Sequence, residues 1–114
     1  MLHLMYLLKP TQKAHLDMTA FWHWVEKRDE WFYRTLEMTG ERRWYVRTIG
    51  DNVHCLEHYV TFADEAAWGQ YRRAVSKLCK DPEWEKIRTE QSLWWEILDS
   101  SLLNDAPFIV NPRK

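Results

Sequence analysis

A chain of 114 residues fits one domain with a modest core. Its sixteen basic and seventeen acidic residues nearly cancel, which argues against the clustered positive charge that nucleic acid or an anionic membrane surface selects. No apolar run approaches the ~20 residues of a spanning helix. The start, Met1-Leu2-His3-Leu4-Met5, lacks a charged n-region and a cleavage site, so a cytoplasmic location with no membrane partner is expected.

Residues 2–8 are short, apolar and closed by Lys9-Pro10, the mark of a strand stopped by proline. Leu2, Leu4, Tyr6 and Leu8 fall on one face and His3, Met5 and Leu7 on the other, so cover on both sides is expected. A helix follows from Thr11 or Asp17 to Leu36. Its apolar row is Phe21, Trp24, Val25, Phe32 and Leu36, completed by Arg28. Met38-Thr39-Gly40 predicts the stop, with Gly40 in a left-handed conformation. Residues 42–49 and 53–62 read as two strands joined at Gly50-Asp51-Asn52 into a hairpin. Thr61-Phe62-Ala63-Asp64 resembles a capping box opening a second helix. That helix carries the row Ala67, Trp68, Tyr71, Val75, Leu78 and Cys79. Asp81-Pro82 predicts a break and a restart, because proline costs nothing at the first helical position; Trp84 and Ile87 should anchor the short piece. Residues 93–103 form the last strand, and a tail runs from Ala106 to Lys114.

Strand, helix, strand, strand, helix, strand is the order of the ferredoxin-like α+β sandwich, whose antiparallel sheet carries both helices on one face. Nothing in the chain remains to cover the other face. Apolar residues of both parities, such as Leu4 with Met5 and Ile97 with Leu98, would leave a large exposed patch on a monomer. A homodimer formed through the sheet is therefore expected.

The segments Tyr6-Leu7-Leu8-Lys9-Pro10, His58-Tyr59-Val60-Thr61-Phe62-Ala63-Asp64, Asp81-Pro82-Glu83-Trp84 and Leu102-Leu103-Asn104-Asp105-Ala106-Pro107-Phe108 together span nearly the whole sequence. On them the chain resembles the NIPSNAP-like families of the dimeric α/β-barrel superfamily. The resemblance implies one such domain over residues 1–109 with a tail at 110–114. It also implies a homodimer assembled sheet to sheet, with a cavity in each subunit between sheet and helices. Relatives in that superfamily include cofactor-free monooxygenases, haem-degrading oxygenases and lactone isomerases. Residues 64–92 contain no histidine, which argues against a haem ligand in the second helix.

Candidate site residues are few. His58 sits mid-strand between Leu56 and Val60, and an imidazole suits a general base because its pKa lies near working pH. Burial should lower that pKa. Tyr6 would orient a ligand through its hydroxyl, and Trp44, His54, Trp24 and Trp68 would supply ligand-binding surface. Two histidines four apart on a strand stand ~13 Å apart, so His54 and His58 cannot share a metal ion. His15 and His23, ~12 Å apart along a helix, cannot either. No metal and no cofactor is expected. Glu57, on the opposite face, calls for a cation from Arg43 or Arg47. Glu96 and Asp99 should lie on opposite faces of the last strand and form no acid/base pair. Cys55 and Cys79 stand outside any CxxC motif and should be reduced thiols. A phosphate loop, a GxSxG elbow and HExxH are all absent.

Two functions fit these residues. One is a homodimer that binds a small apolar or aromatic metabolite, with or without a cofactor-independent oxygenation or isomerisation centred on His58 and Tyr6. The other is a non-catalytic association or sensing protein, for which the eight tryptophans supply contact area.

Overall fold

A computed structural model describes residues 1–111. In chain order it contains β1 (Leu2–Pro10), α1 (Gln12–Leu16), α2 (Met18–Tyr33), β2 (Arg42–Val46), β3 (Leu56–Phe62), α3 (Glu65–Leu78), α4 (Pro82–Glu90) and β4 (Trp95–Asn104). A single 3-10 turn, Gln91–Leu93, joins α4 to β4. The sheet is antiparallel in the order β2-β3-β1-β4, as a ferredoxin-like α+β sandwich requires. No helix among the described residues is long and apolar enough to cross a membrane. The tail expected at 110–114 lies partly outside the described residues.

Both helix starts proposed for the first helical segment are used. Thr11 caps α1 by accepting from the Ala14 amide, and Asp17 caps α2 by accepting from the Ala20 amide at 3.0 Å. The segment is therefore two helices, not one. Thr11 also donates its hydroxyl to the Leu93 carbonyl at 2.7 Å, tying the exit of β1 to the entry of β4. α2 ends at Tyr33, short of Leu36, which is nonetheless buried in the following turn.

Asp64, and not Thr61, caps α3, accepting from the Ala67 amide at 2.8 Å; Thr61 is still strand. Asp81 caps α4 through the Glu83 amide at 3.0 Å, with Pro82 as its first residue, so the break after Leu78 is real. Trp84 anchors α4 in the core, whereas Ile87 is exposed.

Gly40 does not take the left-handed conformation; among the glycines Gly50 does, at φ 102°. Gly40 is needed for space. Its amide donates to the Thr61 carbonyl at 2.7 Å, and a Cβ there would stand 2.5 Å from Thr61 Oγ1. The connection between β2 and β3 is also longer than a two-residue hairpin. Three of its residues, Gly50, Asn52 and His54, have positive φ, which carries His54 out of the strand.

The core lies between the sheet and the helices. Leu2, Leu4, Val60 and Phe62 pack on Phe32, Tyr33, Tyr71 and Trp84 at one end. Leu8 and Leu56 pack on Ala14, Phe21, Val25 and Trp95 at the other. The far face is more polar than alternation suggested. His3, Glu41, Arg43, Tyr45, Glu57, Tyr59 and Thr61 line a shallow depression there. Arg47, rather than Arg43, supplies the cation for Glu57, its Nε donating at 2.6 Å, and Tyr59 donates to the same carboxylate at 2.6 Å.

A bulge interrupts β1 against β4. Leu7 pairs with Asp99 and Leu8 with Ile97, leaving Leu98 unpaired. One extra residue reverses the alternation, so Glu96 and Asp99, expected on opposite faces, both stand on the far face.

Candidate functional site

The sheet register sets four side chains side by side on the helix-facing surface. Trp44, His58, Tyr6 and Ser100 are successive cross-strand partners from β2 to β4. Above this row, between sheet and helices, opens a cavity of about 160 Å3. Tyr6 and Leu8 of β1, His58 of β3, and Trp95 and Ile97 of β4 form its floor. Arg28 and Phe32 of α2, Tyr71 and Val75 of α3, Cys79, Arg88 of α4 and Gln91 complete the walls.

His58 is buried and fully engaged. Its Nδ1 is 3.0 Å from the Arg43 carbonyl, which can only accept, so the proton resides on Nδ1. Nε2 then accepts from the Tyr33 hydroxyl at 2.8 Å. Burial pushes the imidazole pKa down to about 4, against a partial upward pull from the Arg43 carbonyl. Trp44 lies behind it, stacked on the ring, and donates its own Nε1 to Asp29 at 3.1 Å.

Two cations line the cavity wall, Arg88, which pairs with Glu85, and Arg28. The Arg28 guanidinium lies 4.2 Å from the Phe32 ring centroid and 5.2 Å from that of Trp95. It donates to Gln91 Oε1 at 3.3 Å, while its Nε is sealed from solvent without a partner. Trp95 Nε1 is likewise buried and unpartnered. Burial lowers the Arg28 pKa, yet a guanidinium stays charged. The hydroxyls of Tyr33, Tyr71 and Tyr6 are the groups that favour its charge, and burial holds Tyr33 and Tyr71 protonated. The nearest acids are committed elsewhere. Asp29 takes Arg42 at 3.0 Å, and Glu85 pairs with Arg88. No carboxylate lines the cavity.

Of the residues singled out in the sequence, Tyr6 and His58 line the cavity and the others do not. Trp68 packs behind Tyr71, with ring centroids 5.8 Å apart, and on Phe62. Trp24 belongs to a cluster with Trp94 and Trp95, 5.6 and 4.8 Å away. His54 is exposed in the β2–β3 loop, next to a separate depression shared with His15 and Trp22. Arg28 was placed in the apolar row of the first helix but not in the site. Its signal is legible there: the residues three and four positions away are Trp24, Val25, Trp31 and Phe32, with no acid among them. Among the described residues, no three His, Cys, Asp or Glu side chains converge as metal ligands would.

No protein-family model matches this sequence, and no curated protein matches it. Solved structures do. The crystal structure of HapK from Hahella chejuensis superposes with a TM-score of 0.63, covering 99% of this chain and 100% of that one, at 15% sequence identity. The two share a fold. At such low identity the likeness carries no residue roles, and the site stands on its own geometry.

Proposed function

We propose that this protein binds a small molecule, about one aromatic ring in size, in the cavity between sheet and helices. The cavity itself carries the reading. A space of ~150 Å3 accommodates benzene, and this one, about 160 Å3 and partly open to solvent, has Tyr6, Phe32, Tyr71 and Trp95 in its lining. The fold likeness over nearly the whole chain supports a single domain, and the NIPSNAP-like segments noted above suggest its span, residues 1–109; a cytoplasmic location is part of the same proposal.

Binding is favoured over a cofactor-independent oxygenation or isomerisation. His58 is the one base on the wall, and both its ring nitrogens are already bonded. A substrate proton has no free lone pair to reach there. His58 and Tyr6 thus act as a shaped floor.

The assembly is a homodimer through the far face of the sheet. Met5, Leu7, Tyr45, Tyr59 and Leu103 stand on that face, and the helices all pack on the opposite one. A sedimentation run should give a dimer at micromolar concentration, and a stable monomer would refute the assembly. For the cavity, the test is thermal stabilisation by single-ring compounds in the native chain and in Val75→Trp, whose indole fills the space. Stabilisation that the variant loses supports the reading. No stabilisation by any ring compound, or the same shift in both proteins, overturns it.

A further inference from the structure

The charge of the cavity wall defines its ligand more narrowly. Resting on the cavity reading above, we propose that the bound molecule is a single-ring organic carboxylate whose carboxylate sits against Arg28. Arg28 lines the cavity, and two sealed donors without acceptors, its Nε and Trp95 Nε1, belong to side chains packed on each other beside it. Buried donors are satisfied in native proteins, and a buried charge is paired. Here the fold supplies no anion. Asp29 faces Arg42 and Trp44, Glu85 faces Arg88, and burial keeps Tyr33 and Tyr71 protonated.

The missing partner must be acceptor-only and negative. A carboxylate offers two oxygens that match the paired N–H groups of a guanidinium fork. Phe32 and Trp95 hold the guanidinium from the side, so its fork is already oriented before a ligand arrives. The rest of the molecule meets aromatic faces, which suits a planar ring. An inorganic anion would satisfy Arg28 but leave those faces without a partner.

Calorimetric titration of the native chain with benzoate, benzyl alcohol and inorganic phosphate tests this. Benzoate should bind at least tenfold more tightly than either of the others. Arg28→Met should lose at least tenfold in benzoate affinity and keep its weak affinity for benzyl alcohol. With no ligand present, Arg28→Met should melt higher than the native protein, because a buried charge without a counter-ion has been replaced by a shorter apolar chain. Should that variant not fold, Arg28→Lys decides, since an ammonium lacks the planar fork and should also bind benzoate more weakly.

Equal binding of benzoate and benzyl alcohol, or full benzoate affinity in Arg28→Met, would overturn the carboxylate and leave the cavity reading standing. Phosphate binding as tight as benzoate would overturn the ring. Failure of both ring compounds to bind would remove the cavity reading as well.

Discussion

Trp44 lies flat on His58, with ring centroids 3.7 Å apart and planes 12° from parallel, so a cross-strand pair closes one side of the imidazole. Tyr33 and the Arg43 carbonyl close its two nitrogens. The ring is a structural part before it is anything else, and its proton behaviour follows from that enclosure.

Folded His58 refuses a proton until about pH 4, whereas an unfolded imidazole accepts one near its ordinary 6.5. Between those values the unfolded state binds more protons, so stability rises with pH and is lost as pH falls through that window. The full loss is about 3 kcal/mol, from ~1.4 kcal/mol for each pH unit of the shift. Proton NMR of the His58 ring should show one neutral form from pH 8 down to 5. A midpoint above pH 6 would refute the enclosure.

Tyr33→Phe removes the donor to His58 Nε2 and leaves that nitrogen buried and unpaired. The expected cost is about 1–3 kcal/mol in urea unfolding, the penalty for a stranded buried acceptor. The His58 midpoint should move in the same variant, and an unchanged midpoint with unchanged stability would show that the bond contributes nothing.

Gly40→Ala should destabilise by about 1–3 kcal/mol, as overpacking does. The new Cβ would meet Thr61 Oγ1 at 2.5 Å and the Thr61 carbonyl oxygen at 3.2 Å. Combining it with Thr61→Ala removes the nearer clash, so the double variant should recover part of the loss. Strict additivity in that cycle would argue against a direct contact.

Asp81→Ala should cost about 0.5–2 kcal/mol, the usual range for a lost cap. The Asp81 carboxylate accepts from the Glu83 amide at 3.0 Å, and Pro82 has no N–H to be satisfied. Chemical denaturation reads this directly, and a null effect would mean that α4 needs no cap.

Strand alternation, the Asp81-Pro82 break and the alternative helix starts at Thr11 and Asp17 made the fold legible in sequence, because each rests on local backbone chemistry. Gly40 was misread because a glycine's role depends on what approaches it, and Thr61 is remote in sequence. His54 was misplaced because three alternating residues with positive φ, Gly50, Asn52 and His54, lengthen a loop that a glycine-centred hairpin would keep short. Within the site, Tyr6 and His58 could be placed by parity alone. Arg28, Tyr71, Val75 and Ile97 needed the packing of three helices over the sheet, which no single element's pattern encodes. Trp24, Trp44 and Trp68 pack behind the lining residues Trp95, His58 and Tyr71, and among the tryptophans Trp95 reaches the cavity.

The unpaired Leu98 has a consequence beyond strand geometry. Were the ladder to run unbroken from Trp95 opposite Pro10, Asp99 would stand opposite Tyr6, on the face that carries the cavity floor. The bulge turns that acid outward and puts Ser100 in its place. A single surplus residue at the sheet's edge thus keeps an acid off the helix-facing side of the sheet, at a place that an exposed serine fills instead.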